Sequence, residues 1–302
     1  MARKILYFIN PVSGTKGKAA VIKLIEKKTK EQNIPFEILN TNAQGDYFFL
    51  KQKIEEENIT DIVICGGDGT VSQVAGSLID EPVNIGIIPM GSGNGLALAA
   101  KIPKNPAKAL DIIYAGEAKY IDSFFINQKF SCMLCGLGFD AQVAHDFAKQ
   151  GSRGLMTYVK QTIGNFFAAQ PYSFDIVNQG KSFNTEAYFI SVANSNQFGN
   201  NFTIAPLAAL DDGLLDIVIV KKMSKLKLLW QVFKQLRRGY IDEYNELSVE
   251  HRQVLYFQTP RLIINNLDNA PLHIDGDPAE TTKKFSIQVI PQAFKLIQPV
   301  KK

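Results

Sequence analysis

The chain has 302 residues, 46% of them hydrophobic, enough to bury a sizeable core and more than one domain usually needs. Its 33 Lys and Arg stand against 29 Asp and Glu, and a formal charge of +4 is too weak to point to nucleic acid as a partner. No apolar stretch approaches the roughly 20 residues of a membrane-crossing helix, so the expectation is a cytoplasmic protein without a transmembrane segment.

The basic start Met1-Ala2-Arg3-Lys4 leads into a short apolar run that closes at Asn10-Pro11. This reads as a first strand, Lys4–Ile9, rather than a signal peptide. A Gly-rich turn and a helical segment from Lys18 to Glu31 follow, then a strand at Phe36–Leu39 and a helical pattern from Asp46 to Glu57. The strand Asp61–Cys65 precedes a turn and a helix from Val71 to Ile79. The strand Asn84–Ile88 precedes another Gly-rich turn and a helix from Leu96. Strands that are apolar throughout and alternate with helices predict a parallel sheet covered on both faces, an α/β nucleotide-binding type of domain.

Near Lys119 the pattern changes. Strand candidates lie around Tyr120–Asn127, Lys129–Cys135, Ser173–Val177, Ala187–Ala193, Leu214–Val220, Val254–Gln258 and Phe285–Ile290, many joined by short turns. Helical patterns interrupt them from Phe139 to Ala169, broken at Gly151, and from Lys225 to Tyr240. Hairpin-linked strands predict a β-sandwich. The organisation expected is therefore an α/β domain over 1–125 and a β-sandwich over 126–302, with the last residues free to return to the first domain.

The three cysteines form no disulfide framework. Cys132 and Cys135 make a C-x-x-C, but the run Phe130–Cys135 reads as a buried strand, and an odd spacing there sends the side chains to opposite faces. They read as core residues rather than as metal ligands.

Chemistry is expected in the Gly-rich loops, which all follow a strand and precede a helix and so should converge at the carboxyl edge of the sheet. The first is Asn10-Pro11-Val12-Ser13-Gly14, with Gly17-Lys18 beyond. Its spacing and Ala19 differ from a phosphate-binding Walker loop. The third, Gly66-Gly67-Asp68-Gly69-Thr70, lets the backbone approach a ligand, with Asp68 placed to hold Mg²⁺ or a hydroxyl. A tight turn with a capping Asp is the alternative. The fourth, Pro89-Met90-Gly91-Ser92-Gly93-Asn94-Gly95, offers a hydroxyl and an amide between glycines, suited to phosphate or ribose. A left-handed turn explains it nearly as well. Thr41, ending the second strand, adds a hydroxyl to the same layer.

Asn-Pro-x-Ser-Gly, Gly-Gly-Asp-Gly-Thr and Pro-x-Gly-Ser-Gly-Asn, in this order and spacing, resemble the catalytic domain of diacylglycerol kinases and the related sphingosine and bacterial lipid kinases. The likeness continues through Gly136–Ala141, Ile204–Asp216 and Asp275-Gly276-Asp277, and so covers nearly the whole chain. It implies the α/β-plus-sandwich fold of NAD kinases and diacylglycerol kinases, with the second domain receiving the lipid. It implies an ATP-dependent lipid kinase, acting on diacylglycerol or a similar glycerolipid peripherally at a membrane surface. Asn10, Ser13, Thr41, Gly66, Gly67, Asp68, Gly69, Thr70, Ser92, Gly93 and Asn94 are implied around ATP and its Mg²⁺. Asp277 is the implied general base, with Asp68 beside it. A second, structural Mg²⁺ is implied on the sandwich, held by the Asp212 carboxylate and the carbonyls of Ala209 and Leu214. The bland alternative for that segment is a turn before the next strand.

Three positions depart from the family. Ser72-Gln73 stands where Asn-Glu is common, Gly95 where many members have Asp, and Asp277 where the family has Glu. The readings that compete are a sphingoid-base kinase, an NAD kinase and a nucleotide-binding regulatory protein without catalysis. A homodimer is left open. Along Lys225–Tyr240 the stripe Leu226, Leu229, Trp230, Phe233, Leu236 and Tyr240 reads first as a core-facing helix. Its rim of Lys227, Lys234 and Arg238 adds an expectation of weak, salt-sensitive contact with anionic lipid.

Overall fold

The computed structural model describes residues 2–13, 18–42, 44–149, 169–199, 202–203, 205–222 and 253–300. The helix expected over Lys225–Tyr240, and the expected Phe139–Ala169 helix beyond residue 149, lie outside the described residues.

The first half runs β1 (Ile5–Ile9), α1 (Lys18–Glu31), β2 (Phe36–Asn40), α2 (Phe49–Glu57), β3 (Asp61–Gly66), α3 (Asp68–Gly76), β4 (Asn84–Pro89), α4 (Gly95–Ala99) and α5 (Pro106–Ala115). β1 lies between β2 and β3, and β3 pairs with β4, all parallel. Every residue of β1 and β3 is buried, as expected of strands covered on both faces.

The second half runs β5 (Glu117–Ile126), β6 (Lys129–Ser131), β7 (Leu134–Gly138), α6 (Phe139–Lys149), β8 (Tyr172–Asn178), β9 (Lys181–Ala193), β10 (Gln197–Gly199) and β11 (Phe202–Thr203). It ends with β12 (Leu215–Lys221), β13 (Val254–Thr259), β14 (Arg261–Asn266), β15 (Leu272–Ile274), β16 (Asp277–Ala279) and β17 (Lys284–Gln298). It is a β-sandwich. One layer joins β6, β5, β17, β14 and β8; the other joins β13, β12, β7, β15 and β16. The long β9 serves both, pairing with β8 along its first part and with β7 and β12 along its second. Phe124, Phe174, Ile264 and Phe285 from one layer meet Leu137, Ile190, Ile217 and Leu272 from the other in a shared core.

β17 ties the halves together. Its first part pairs with β14; an irregularity between Ile290 and Phe294, with Gln292 at φ 54°, redirects it, and Lys295–Leu296 then run parallel to Asn84–Ile85 of β4.

Several expected boundaries are corrected. α3 starts at Asp68 rather than Val71, so Asp68, Gly69 and Thr70 sit in its first turn. α2 begins at Phe49 rather than Asp46, and the helix expected from Leu96 is the short α4. The run Lys129–Cys135 is two strands parted at Cys132-Met133. Its cysteines diverge for that reason: Cys132 packs in the core shared with the α/β half, and Cys135 in the sandwich core. α5 and the strands β14, β15 and β16 were not expected.

Candidate active site

Because β2, β1, β3 and β4 are parallel, the segments that follow them gather along one edge of the sheet. This brings Asn10, Ser13, Thr41, Gly66–Thr70 and Ser92–Asn94 together. Asn10 continues the ladder through its amide to the Cys65 carbonyl at 3.0 Å. Its side chain donates to Thr70 Oγ1 at 2.7 Å and accepts from the amides of Val12 (2.9 Å) and Ser13 (3.2 Å). Both ends of the Asn10 amide therefore shape the loops. Thr41 is half-buried and its amide donates to the Ile9 carbonyl at 3.0 Å.

The glycines have packing reasons of their own. A Cβ on Gly91 would lie 2.5 Å from the Gly67 Cα, so the third and fourth loops touch backbone to backbone. The Met90 amide adds a hydrogen bond to the Gly66 carbonyl at 2.8 Å. A Cβ on Gly69 would lie 2.4 Å from Asp277 Oδ2, a carboxylate contributed by the sandwich. Asn94, left-handed at φ 54° and buried, closes its own turn by accepting from the Gly91 amide at 2.8 Å and donating to the Gly91 carbonyl at 2.6 Å. Its side chain is thus committed to loop shape, and the exposed hydroxyl of this loop is Ser92.

Asp68 is half-buried and faces the start of α4, where the Leu96 amide lies 3.4 Å from Oδ1. Burial raises its carboxyl to about 6; the amides of Gly95, Leu96 and Asn94 pull downward and the negative charge of Asp275 pushes upward.

Asp277 follows a two-residue turn, Asp275-Gly276, with φ of 51° and 86°, that pairs Ile274 with Asp277 across the β15–β16 hairpin. This is the left-handed turn that Asp-Gly favours. The two acids go different ways. Asp277 is exposed as a residue, yet Oδ2 is wedged against Gly69; that local desolvation raises its carboxyl, and His273 opposes the rise. Asp275 turns inward and accepts from the Ser72 hydroxyl, from the Ser131 hydroxyl at 2.7 Å and from the Leu134 amide at 3.1 Å. Its carboxyl is raised by burial against the pull of those donors. His273 braces the turn from behind: Nδ1 accepts the Gly276 amide at 3.3 Å and Nε2 lies 3.4 Å from Asp140 Oδ2. Ser131, His273 and Asp140 were not singled out from the sequence, and Ser72 only as a departure. The legible signal was the Asp275-Gly276 turn that follows Leu272-His273-Ile274.

Two raised carboxyls, Asp68 and Asp277, thus meet at the first turn of α3, while Asp275 is held one turn further along by Ser72. Two carboxylates are fewer than the three that a protein-only metal cluster would need, so a divalent cation here would have to share its ligands with phosphate oxygens and water.

Asp212 belongs to another group. Its Oδ1 accepts the Leu214 amide at 3.0 Å, and Oδ2 lies 3.4 Å from Gln258 Nε2. Asp122 is locked, accepting from the amides of Gly213 at 2.6 Å and Gln292 at 2.8 Å. Asp216 accepts from the Tyr256 hydroxyl and from Gln258, and burial raises it to about 6. Asp212 is raised by burial first, with Asp122 and Asp211 adding to it. Among the described residues no cluster of three or more His, Cys, Asp or Glu side chains could hold a metal. The cation expected on Asp212 with the Ala209 and Leu214 carbonyls would thus have a single carboxylate ligand.

The sequence profile of the diacylglycerol kinase catalytic domain matches residues 4–126, and that of the YegS C-terminal NAD kinase beta sandwich-like domain matches 134–298. The chain is 28% identical over 263 residues to a protein of Shewanella frigidimarina described as a probable lipid kinase YegS-like, covering 83% of this chain and 80% of the relative. It is 24% identical over 279 residues to a diacylglycerol kinase of Bacillus subtilis, covering 91% and 89%. Its fold is similar to that of a diacylglycerol kinase of Bacillus anthracis, with a TM-score of 0.75 at 20% identity, covering 98% of this chain and 97% of the other.

Proposed function

This chain belongs to the diacylglycerol kinase family, with a catalytic α/β domain followed by the YegS-type sandwich, and from that premise we propose that it transfers the γ-phosphate of ATP to the hydroxyl of diacylglycerol or a similar glycerolipid. The observation that carries this reading is the contact of Asp277 Oδ2 with Gly69, which sets a carboxylate from the sandwich against the loop that carries Asp68.

Phosphoryl transfer needs aligned groups and charge compensation more than covalent chemistry. In this reading the amides at the start of α3 and the loop carrying Ser92 hold the polyphosphate. Mg²⁺, when bound with the nucleotide, supplies charge compensation at the phosphates, and Asp68 is the carboxylate that would hold it. Asp277 takes the proton of the lipid hydroxyl at its carboxylate. Its raised carboxyl suits that task, because a base works best with a pKa closer to working pH. The lipid is met at a membrane surface by peripheral contact. No helix among the described residues is long and apolar enough to cross a membrane.

The test is ATP consumption with Mg²⁺ and, in turn, diacylglycerol, a sphingoid base, ceramide and NAD. Turnover greatest with diacylglycerol is expected. Turnover confined to the sphingoid base or to NAD would reassign the acceptor. ATP binding without turnover on any acceptor would favour a regulatory nucleotide-binding protein.

A further inference from the structure

The two carboxylates of the proposed site come from opposite halves of the chain, and their separation must be set by something that joins the halves. Asp68 opens α3, and Ser72 lies one helical turn further along the same helix. The Ser72 hydroxyl donates to Oδ2 of Asp275, across 203 residues of sequence. Asp275 occupies the hairpin turn two residues before Asp277, and its other oxygen accepts from Ser131 and the Leu134 amide. Asp275 is therefore grasped by the sandwich on one oxygen and by α3 on the other. Ser72 is 8% exposed and packs with its oxygen 3.1 Å from Cys132 Sγ, so no water-filled gap softens the link. A hydroxyl donating to a buried carboxylate is among the stronger and more directional hydrogen bonds. The two acids of the hairpin divide the work: Asp275 anchors and Asp277 faces Gly69.

We infer that Ser72 is a positioning residue for phosphoryl transfer, which through Asp275 fixes the hairpin to α3 and so sets the placement of Asp277 against the loop carrying Asp68. The inference rests on the proposed kinase reading for its catalytic consequence, and on the hydrogen bond alone for its structural one. Thr and Asn side chains can also donate to a carboxylate. The requirement at this place is a donor rather than a particular side chain.

The test compares the full chain with Ser72→Ala and Ser72→Thr, by kinetics with Mg·ATP and diacylglycerol vesicles and by hydrogen exchange. Alanine is a good helix former, so α3 itself is not weakened by that variant. Ser72→Ala is expected to lower kcat by up to ~10²-fold through misplacement of Asp277, with KM for ATP unchanged. Amide exchange over residues 274–279 should rise, and Ser72→Thr should restore both readouts. Should threonine crowd Cys132 and lower the melting temperature, Ser72→Asn serves as the donor-restoring variant. Unchanged kcat in a folded Ser72→Ala protein would overturn the catalytic consequence, and unchanged exchange over 274–279 would overturn the link itself. If the wild type phosphorylates no lipid, the kinase reading fails and exchange alone decides: a rise in Ser72→Ala keeps the link, and no change removes it.

Discussion

Asp68 combines two demands in one carboxylate. It faces the amides that open α4, and it has been lifted from 3.8 to about 6 by burial and by Asp275. A raised acid means that the folded protein binds a proton more readily than the unfolded chain does. Its contribution to stability is therefore greatest at low pH and falls as pH rises from the ordinary carboxylate value through about 6. Asp68→Asn keeps an oxygen for the Leu96 amide and removes the charge. We expect this variant to melt above wild type at pH 8, with the gap closing towards pH 4, while phosphorylation is abolished. Asp216 also sits at about 6, so the difference between the two proteins, not the wild-type slope alone, reports Asp68. A lower melting temperature for Asp68→Asn at pH 8 would show that the amides prefer the charged form. Asp277 gives a second expectation at this scale. Asp277→Asn should lower kcat by at least ~10²-fold, the smaller end of what a general base contributes. Asp277→Glu should keep partial activity, because the longer acid must still fit beside Gly69. Equal activity of Asn and Asp in steady-state assays would remove Asp277 as the base.

At the scale of elements, the loops owe their placement to contacts between backbones. Gly91→Ala would press a methyl against the Gly67 Cα, and overpacking of this kind costs about 1–3 kcal/mol. The expected outcome is a folded protein with weakened ATP affinity, read by nucleotide titration; unchanged affinity would show that the loops can separate without harm. Much of this was legible in the sequence. Unbroken apolar runs marked β1, β3 and β4, and glycine clusters marked the loops that collect beside them. The start of α3 was not legible, because its first turn contains Gly69 and its cap is Gly67, so helical periodicity becomes visible only at Val71. α5 could have been found: Asn105 accepts the amides of Ala107 at 3.0 Å and Lys108 at 3.1 Å, and Asn-Pro is a recognisable helix start. β14 alternates buried and partly exposed residues as a half-buried strand should, but directly follows Pro260 and β13. The link between Ser72 and Asp275 could not be read from one sequence. No local pattern joins residues 203 positions apart.

At the scale of the molecule, the Asp212 loop can be tested for a structural cation distinct from the one proposed beside the nucleotide. A ligand that binds only the folded state raises the melting temperature. Mg²⁺ should stabilise the wild type and leave Asp212→Ala unmoved, as measured by thermal denaturation over a magnesium series without nucleotide. The same response in both proteins would place the cation elsewhere.

The return of β17 to β4 has a consequence for how the protein is made. On the ribosome, β1 to β4 and the loops that carry Asn10, Asp68 and Ser92 emerge well before residues 284–298, which supply the neighbouring strand of β4. Until then the β4 edge presents unpaired backbone groups, a template for wrong partners. The α/β half should therefore mature late. Nascent chains arrested before Lys284 are expected to stay sensitive to protease throughout 1–115, and chains arrested after Gln298 has cleared the exit tunnel to become resistant. Early resistance in the shorter chains would mean that the parallel sheet closes without its borrowed strand.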